Sequence, residues 1–278
     1  MENSNNRLLR DKQKNWSRMN QYIEIEKMHS GESADLFEVQ DSNGGIFLKK
    51  QLINNPDEDQ RNRFLNEISI LKEVSSKFII PIIDSDTESE TPFYIMPRAD
   101  KTLRNYTREK FGYSELGLMD QIVEGLNVLH QKKILHLDLN PDNILIFSYG
   151  PKNAIAKISD FGLSLHIDEV KNVKENENGW HGTLPYIPYR DLKSIKNADY
   201  SSDIFNLGRI LHRILTGKQC TRDSDFLNEG GYFGVIIKRA FFEENEDRYY
   251  RNIERFIQDL KIAKDELNQN INFDGMVG

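Results

Sequence analysis

Cysteine is almost absent from the 278-residue chain, because Cys220 is the only one. A single thiol excludes an internal disulfide framework and is typical of a reducing compartment. The sequence also lacks any apolar run near the roughly 18 residues that a membrane-spanning helix needs. The N-terminal segment MENSNNRLLRDKQKNW has no apolar stretch that resembles a signal peptide. We therefore expect a cytoplasmic protein without a membrane partner.

Basic residues are in the minority. The chain has 37 Lys and Arg against 44 Asp and Glu, for a net charge of −7. Nucleic-acid-coating proteins are usually basic, so we expect no nucleic-acid partner. With 38% hydrophobic and 29% charged residues, the composition is that of an ordinary globular protein.

The periodicity of apolar residues divides the chain into two parts near residues 97 to 101. In the first part, the pattern of apolar residues predicts mainly short strands and one amphipathic helix. The motif DSNGG (residues 41 to 45) predicts a hairpin turn there. The second part predicts long helices and two short strands. The predicted strands cover 22–28, 36–40, 46–49, 79–83, 93–96, 144–147 and 156–159, and the predicted helices cover 57–74, 114–131, 203–216 and 249–268.

The stretch HLDLNPDN (residues 136 to 143) holds two carboxylates and two amides, and it lies between a predicted helix and a predicted strand. Asp160-Phe161-Gly162 follows, then Gly182-Thr183 and the run from Ser202 to Gly208 that contains Asp203. Upstream, Lys49 lies on the third strand and Glu67 on the first helix. One such motif is a weak signal, but five in this order and context are specific.

This ordered set resembles the eukaryotic-type (Hanks-type) serine/threonine protein kinase family over residues 22 to 268. Leu137 stands where the family usually has an arginine before the catalytic aspartate, so the chain resembles a divergent non-RD member. The resemblance implies an α+β, bilobal fold with a small antiparallel β-sheet N-lobe, one main helix in that lobe, and a larger, mostly helical C-lobe. It implies an N-terminal extension (1–20), an N-lobe (21–97), a C-lobe (98–270) and a C-terminal tail (271–278).

The same resemblance implies transfer of the γ-phosphoryl group of ATP to serine or threonine hydroxyls, with Mg²⁺ or alternatively Mn²⁺. Lys49 would hold the α- and β-phosphates and Glu67 would fix that lysine. Asp160 and Asn143 would bind the metal, and Asp138 would orient the attacking hydroxyl. The implied partners are protein substrates with Ser or Thr, including the chain itself.

A wider set of residues resembles the positions that line the family's nucleotide site. Met96 corresponds to the gatekeeper, and Gly31 is the one glycine kept of a three-glycine loop, where Ala34 replaces another. The implied nucleotide-binding residues are Met28, Gly31, Ala34, Leu36, Lys49, Met96, Ala99, Asn140 and Leu145.

The lysine assignment has an alternative. Phe47-Leu48-Lys49-Lys50 resembles a family version in which the catalytic lysine is followed by a second lysine, which favours Lys49 over Lys50. Phe47 then occupies the place of a small alanine that lies over the adenine ring, and its larger volume could fill that slot. If Lys50 is the match, Leu48 takes that place instead.

Other departures lie in the second part of the chain. Asn140 replaces a lysine that helps to neutralise the transferring phosphoryl group. Leu137 indicates that activity does not need a phosphorylated activation segment. Arg190 stands where a glutamate usually anchors that segment, so this anchor must be replaced.

Three functions follow. The first is an active Ser/Thr protein kinase. The second is a pseudokinase, a binding or regulatory module in which Phe47 fills the adenine pocket. The third is a kinase-fold enzyme acting on small molecules, which the peptide-docking character of residues 163 to 190 disfavours.

Overall fold

The computed structural model describes residues 22–150, 153–173, 183, 186–218, 231–241 and 250–274. The extension at 1–20 and the last four residues of the tail at 271–278 lie outside these described residues, as do Gly182 and Cys220. The chain forms two compact units. The first contains the described residues up to Ser75 together with Ile80–Ala99, and the second contains Ser76–Ile79 and the described residues from Asp100 onward.

The first unit is built on a five-stranded antiparallel sheet. In the order β1-β2-β3-β5-β4, its strands are β1 (Tyr22–Ser30), β2 (Ala34–Asp41), β3 (Ile46–Leu52), β5 (Phe93–Pro97) and β4 (Asp84–Asp86). The predicted hairpin between β2 and β3 is confirmed, because Asp41 Oδ1 accepts hydrogen bonds from the N–H groups of Asn43 and Gly45 at 2.9 and 2.7 Å. The side chain thereby satisfies the turn's own backbone donors.

One predicted strand is wrong. Residues 79 to 83 form no strand of this sheet, and Ile79 makes only an isolated bridge to Ile158 within the second unit. Pro81 explains the difference, because it has no N–H to donate to a sheet ladder. The apolar side chains of Ile79 and Ile80 are buried, so they supply core packing and not a strand.

The helix of the first unit, α1 (Glu58–Glu73), is confirmed at the predicted place. It begins with a capping box in which Asp57 Oδ1 accepts from the N–H of Gln60 at 2.7 Å and Gln60 Oε1 accepts from the N–H of Asp57 at 3.0 Å. Both contacts satisfy donors that a helix start leaves unpaired. Its predicted stripe, which includes Phe64 and Ile68, is buried. This packing fixes which face of α1 meets the sheet.

The second unit is mainly helical. Its helices are α2 (Leu103–Tyr106), α3 (Leu116–Gln131), α4 (Tyr189–Lys193), α5 (Tyr200–Thr216), α6 (Gly231–Phe241) and α7 (Ile253–Asp274). Its short strands pair as β6-β8-β9 and β10-β7, with bounds β6 (Lys101–Thr102), β7 (Ile134–Leu135), β8 (Ile144–Ser148), β9 (Ala154–Ile158) and β10 (Leu165–His166). The predicted α+β class is confirmed. No helix of the described residues is long and apolar enough to cross a membrane.

Helix α5 is the centre of the second unit. Every residue from Ser202 to Ile214 is buried, including several charged ones. It begins with a capping box between Asp199 and Ser202 and ends at Gly217, as predicted. Because α5 is enclosed, only groups within the protein can satisfy the polar side chains along it.

Close packing of α5 against α6 leads to a first prediction. A Cβ added to Gly208 would lie 2.6 Å from the Cβ of Ala240. We expect Gly208→Ala to destabilise the fold by about 1–3 kcal/mol, because the two helices would have to separate. Urea denaturation measures the change.

The matched control is Gly117→Ala on α3, where an added Cβ meets nothing within 4 Å. That change should be neutral or stabilise by up to about 1 kcal/mol, since alanine favours helix over glycine. Equal effects of the two substitutions would contradict the packing argument.

Candidate active site

A buried glutamate joins the sheet of the first unit to its helix. Lys50 on β3 donates from Nζ to both carboxylate oxygens of Glu67 on α1, each at 2.9 Å. Tyr94 on β5 adds a hydrogen bond from its hydroxyl to Glu67 Oε1 at 2.9 Å. Lys50 and Tyr94 are directly paired across β3 and β5, so they lie on the same sheet face. Glu67 is 1% exposed, and these donors compensate the cost of burying its charge.

The predicted pair between Lys49 and Glu67 is wrong. Lys49 makes its ion pair with Glu24 on β1, and its ammonium lies 5.0 and 5.4 Å from the ring centroids of Phe37 and Phe93. Neighbouring residues of a strand point to opposite faces, so a slip of one residue exchanges the two lysines. The alternative, Lys50, is therefore the lysine that Glu67 holds.

Phe47 shares its sheet face with Lys49, because both positions lie on the same side of β3. Its ring meets Tyr22 edge-on with centroids 6.0 Å apart, and it packs against the buried cluster of Val39, Phe93 and Ile95. Phe47 therefore does not lie on the face of Lys50, and the prediction that it fills an adenine slot beside the catalytic lysine is wrong. Leu48 lies on that face instead.

Two of the residues predicted to contact nucleotide lie on the same sheet face as Lys50. Leu36 is directly paired with Lys50, and Met96 with Leu48, so both lie on the Lys50 face. Met28 lies at an irregularity of β1 and is exposed, and Ala99 is half-buried just after β5. Their roles toward a nucleotide stay predictions.

The turn from β1 to β2 is tight. The N–H of Gly31 donates to the carbonyl of Ala34 at 2.9 Å, and a Cβ on Gly31 would also lie 2.9 Å from that oxygen. Only glycine allows this approach without a shift of the backbone. The one glycine that the sequence keeps is thus at a position where the turn requires it.

In the second unit, a buried carboxylate on α5 holds the HLDLNPDN loop. Asp203 Oδ2 accepts from the N–H of His136 at 2.9 Å and Oδ1 accepts from the N–H of Leu137 at 2.8 Å. His130 Nε2 on α3 donates a third bond to Oδ2 at 2.9 Å. Leu137 has φ +65°, in the left-handed region that is unfavourable for its branched side chain. The hydrogen bonds of Asp203 compensate this backbone strain.

His136 links that loop to the Asp160-Phe161-Gly162 motif. Its Nε2 donates to the carbonyl of Ser159 at 3.1 Å, and its ring lies 5.0 Å from that of Phe161. The predicted packing of His136 against Phe161 is confirmed. Asp160, which lies between Ser159 and Phe161 in the chain, has φ +62°. The two motifs therefore have a fixed relative position within this unit.

Asp138 is surrounded by donors. Its Oδ1 accepts from the N–H of Thr183 at 3.0 Å, and its Oδ2 accepts from Asn143 Nδ2 at 2.8 Å. Burial raises the pKa of the Asp138 carboxyl, the bonds from Thr183 oppose the shift, and the nearby charge of Asp160 adds to it. The group is a fixed, partly desolvated acceptor.

Asn140 has a local structural role. Its Nδ2 donates to the carbonyl of Asp138 at 3.0 Å and to Thr183 Oγ1 at 3.2 Å, and its Oδ1 accepts from the N–H of Asp142 at 2.9 Å. Asn140 is 2% exposed. Its predicted contact with nucleotide stays a prediction.

Asn143 and Asp160 offer the oxygen ligands that suit Mg²⁺. Asn143 Nδ2 is used by Asp138, which leaves Oδ1 without a donor among the described residues. The N–H and Oγ of Ser159 donate to the carbonyl of Asn143 at 2.8 and 3.0 Å, so Asn143 lies next to the residue that precedes Asp160. One carboxylate, one amide oxygen and substrate phosphates are a usual Mg²⁺ ligand set. These residues therefore fit the ion. Leu145, predicted to face the nucleotide, is half-buried on β8.

These features define the class. A lysine–glutamate pair on a small sheet, and a loop with an oriented aspartate beside an Asp-Phe-Gly turn, are the parts of a protein kinase. The family model for the protein kinase domain matches residues 22–264, and the chain belongs to this family.

Curated relatives carry kinase names. A probable cell division protein kinase of Encephalitozoon cuniculi is 29% identical over 200 residues, covering 71% of this chain and 72% of that protein. A probable serine/threonine-protein kinase of Clostridium perfringens is 25% identical over 61% of the chain, and myosin light chain kinase 3 of Rattus norvegicus is 29% identical over 62%. The matches span only 24% and 22% of the last two proteins.

The environment of Asp138 gives a second prediction. We expect its carboxyl to titrate above the ordinary value of about 3.9 in a carbon-13 NMR experiment. Its contribution to folding is then greatest below the unfolded-state pKa and declines as the pH rises through the higher folded-state pKa.

Asn143→Ala is the companion variant. It removes a hydrogen bond that favours the charged carboxylate, so the pKa of Asp138 should rise further. A wild-type titration at or below the ordinary value would show that Thr183 and Asn143 outweigh burial.

Proposed function

We propose that the chain is an ATP-dependent protein kinase that phosphorylates serine or threonine hydroxyls. The observation that carries the proposal is the formed ion pair between Lys50 and Glu67. Protein kinases need this pair in place for phosphoryl transfer, and it costs folding free energy to bury such a glutamate. The pair is therefore what an active enzyme would keep.

Each charged or polar residue of the site would have its own role in phosphoryl transfer. Bound ATP with Mg²⁺ supplies the electrophilic γ-phosphoryl group. Lys50 would neutralise the α- and β-phosphates, and Asp160 and Asn143 would hold the metal. Asp138 would orient the acceptor hydroxyl and take its proton while the new oxygen–phosphorus bond forms and ADP leaves. Such positioning accounts for most of the catalysis in this reaction class.

The serine/threonine preference rests on the surroundings of Thr183. Its N–H donates to Asp138 and its hydroxyl accepts from Asn140, so it ties the acceptor-binding aspartate to the loop. By resemblance, Gly182-Thr183 and Pro141 are typical of the serine/threonine branch. The names of the relatives from Clostridium perfringens and Encephalitozoon cuniculi agree with a protein substrate.

A pseudokinase is the second candidate, and Asn140 favours it. The residue is neutral where the family has a lysine, and its side chain is hydrogen-bonded to Asp138, Asp142 and Thr183. Transfer would then lack one positive charge on the γ-phosphoryl group. A protein that binds ATP with Mg²⁺ in a thermal-shift assay but transfers no phosphate would support this candidate.

The lysines provide the direct test. We expect Lys50→Met to lower phosphate transfer from γ-labelled ATP by at least about 10²-fold, because it removes the charge at the phosphates. Asp160→Ala should abolish transfer. Lys49→Met should lower it far less, since Lys49 lies on the other sheet face.

The assay uses the chain alone, for autophosphorylation, and a generic basic and a generic acidic protein substrate. Equal losses in the two lysine variants would contradict the assignment of Lys50. No transfer by the wild type to any acceptor would reject the kinase proposal in favour of the second candidate.

Leu137 bears on activation. It is buried in an apolar cluster with Leu135, Val170 and Ala198. Leu165 and Ile167, which follow the Asp-Phe-Gly turn, pack against the same cluster. Apolar burial thus holds this segment, where an arginine would instead need a phosphate.

We therefore expect phosphatase-treated protein to transfer phosphate at a rate within about twofold of the untreated protein. Mass spectrometry would verify that phosphate has been removed. A loss of activity on treatment, with recovery after incubation with ATP, would show that a phosphate switch operates despite Leu137.

A further inference from the structure

Arginines gather beside the HLDLNPDN loop. The N–H of Arg104 on α2 donates to the carbonyl of Pro141 at 3.0 Å, so this residue lies against the loop. Its Nε donates to both oxygens of Asp142 at 2.6 and 2.7 Å. Asp142 is therefore neutralised already, and it offers little attraction to another cation.

Arg213 on α5 is the buried member of the group. It is 4% exposed, and it donates from Nη2 to the carbonyl of Arg104 at 2.9 Å and from Nε to Thr107 Oγ1 at 2.7 Å. Both acceptors are neutral, and among the described residues no carboxylate forms an ion pair with it. Burial and the charges of Arg104 and Arg108 lower the pKa of Arg213, while Tyr186 and Asp142 oppose the shift.

Arg108 completes the group on the chain segment just after α2. It is exposed, and it forms no ion pair with the described residues. Arg104, Arg108 and Arg213 bring three positive charges to this group, and Asp142 forms an ion pair with one of them, Arg104. A buried guanidinium without a counter-ion is costly, and an anion held beside the group would offset part of that cost through its charge.

The arginine group lies close enough to Asp138 to contact a side chain of a bound peptide near its acceptor residue. Asp142 follows Asp138 by four residues, which span at most about 14 Å. The loop is more compact than this limit, because Asn140 and Asn143 both donate back to the carbonyl of Asp138. An extended peptide advances about 3.3 Å per residue, so side chains within about four positions of the acceptor could meet the arginines.

We infer that Arg104 and Arg108, with the buried charge of Arg213 behind them, form a subsite for an anionic side chain, a carboxylate or a phosphate, close to the acceptor residue of the protein substrate. The inference rests on the proposed kinase function. The planar fork of arginine matches both anions, and the neutralised Asp142 gives no reason to select lysine or arginine there. The substrate class is thus an acidic or previously phosphorylated segment.

The test uses serine peptides of one parent sequence. Single positions from four before to four after the acceptor carry aspartate, phosphoserine, alanine or lysine. We expect aspartate or phosphoserine at one or more of these positions to raise kcat/KM about tenfold over alanine, and lysine to lower it. A gain with phosphoserine alone would identify phosphate as the anion, and equal gains would identify general acidity.

Variants locate the effect. In Arg213→Gln and Arg108→Gln the ratio of kcat/KM for acidic and neutral peptides should fall toward one. Lys261→Gln, which removes one positive charge from the exposed face of α7, should keep the ratio. Because Arg108 is exposed, its variant tests the subsite even where Arg213→Gln lowers stability. An unchanged ratio in both arginine variants would overturn the subsite.

Binding separates this inference from the kinase proposal. Fluorescence anisotropy with peptides whose acceptor serine is replaced by alanine needs no phosphate transfer. Binding of acidic peptides about tenfold tighter than neutral ones, without any transfer, would keep the subsite and reject the kinase proposal. Transfer without a charge preference would keep the kinase proposal and reject the subsite.

Discussion

The hydrogen bonds of Asp203 are the constraint on which the second unit depends. A carboxylate on a buried helix is tolerated only when both of its oxygens accept hydrogen bonds. Here the loop backbone and His130 donate those bonds. In return, the loop keeps a leucine in a left-handed conformation that it would not adopt alone. Helix α5 and the orientation of Asp138 are thus parts of one arrangement.

The first unit has a similar organisation around Glu67. Its carboxylate joins β3, β5 and α1 through Lys50 and Tyr94. In each unit a buried acid supplied by a helix positions groups on a strand or loop. Burying such acids is seldom the most stable choice, and positioning is the reason to keep them.

The sequence predicted the large features well, since long amphipathic helices and turn motifs are local signals. Helix α1 and the long helices of the second unit followed from periodicity, the hairpin at Asn43 from its turn motif, and the α+β class from the family resemblance. The strand expected at 79–83 failed because Pro81 removes a donor that periodicity does not register. The sequence showed Asp203 only as part of a motif. Its hydrogen bonds could not be predicted from local patterns, because their partners lie 66 to 73 residues away.

The lysine assignment failed for a different reason. Lys49 and Lys50 are adjacent, and the choice between them depends on which sheet face meets α1. Local similarity favoured Lys49, but the alternation of β2 and β3 would have separated the residues into two sets, with Phe37, Val39 and Phe47 sharing the face of Lys49. Facing apolar residues on neighbouring strands were the signal that could have identified Lys50.

The cluster around Leu137 has a consequence for how the segment after the Asp-Phe-Gly turn responds to its surroundings. Contacts between arginine and phosphate weaken as salt screens them, whereas apolar burial is insensitive to screening and is strengthened by excluded salts such as sulfate. Apolar burial also weakens on cooling. The order of this segment should therefore depend on temperature more than on ionic strength.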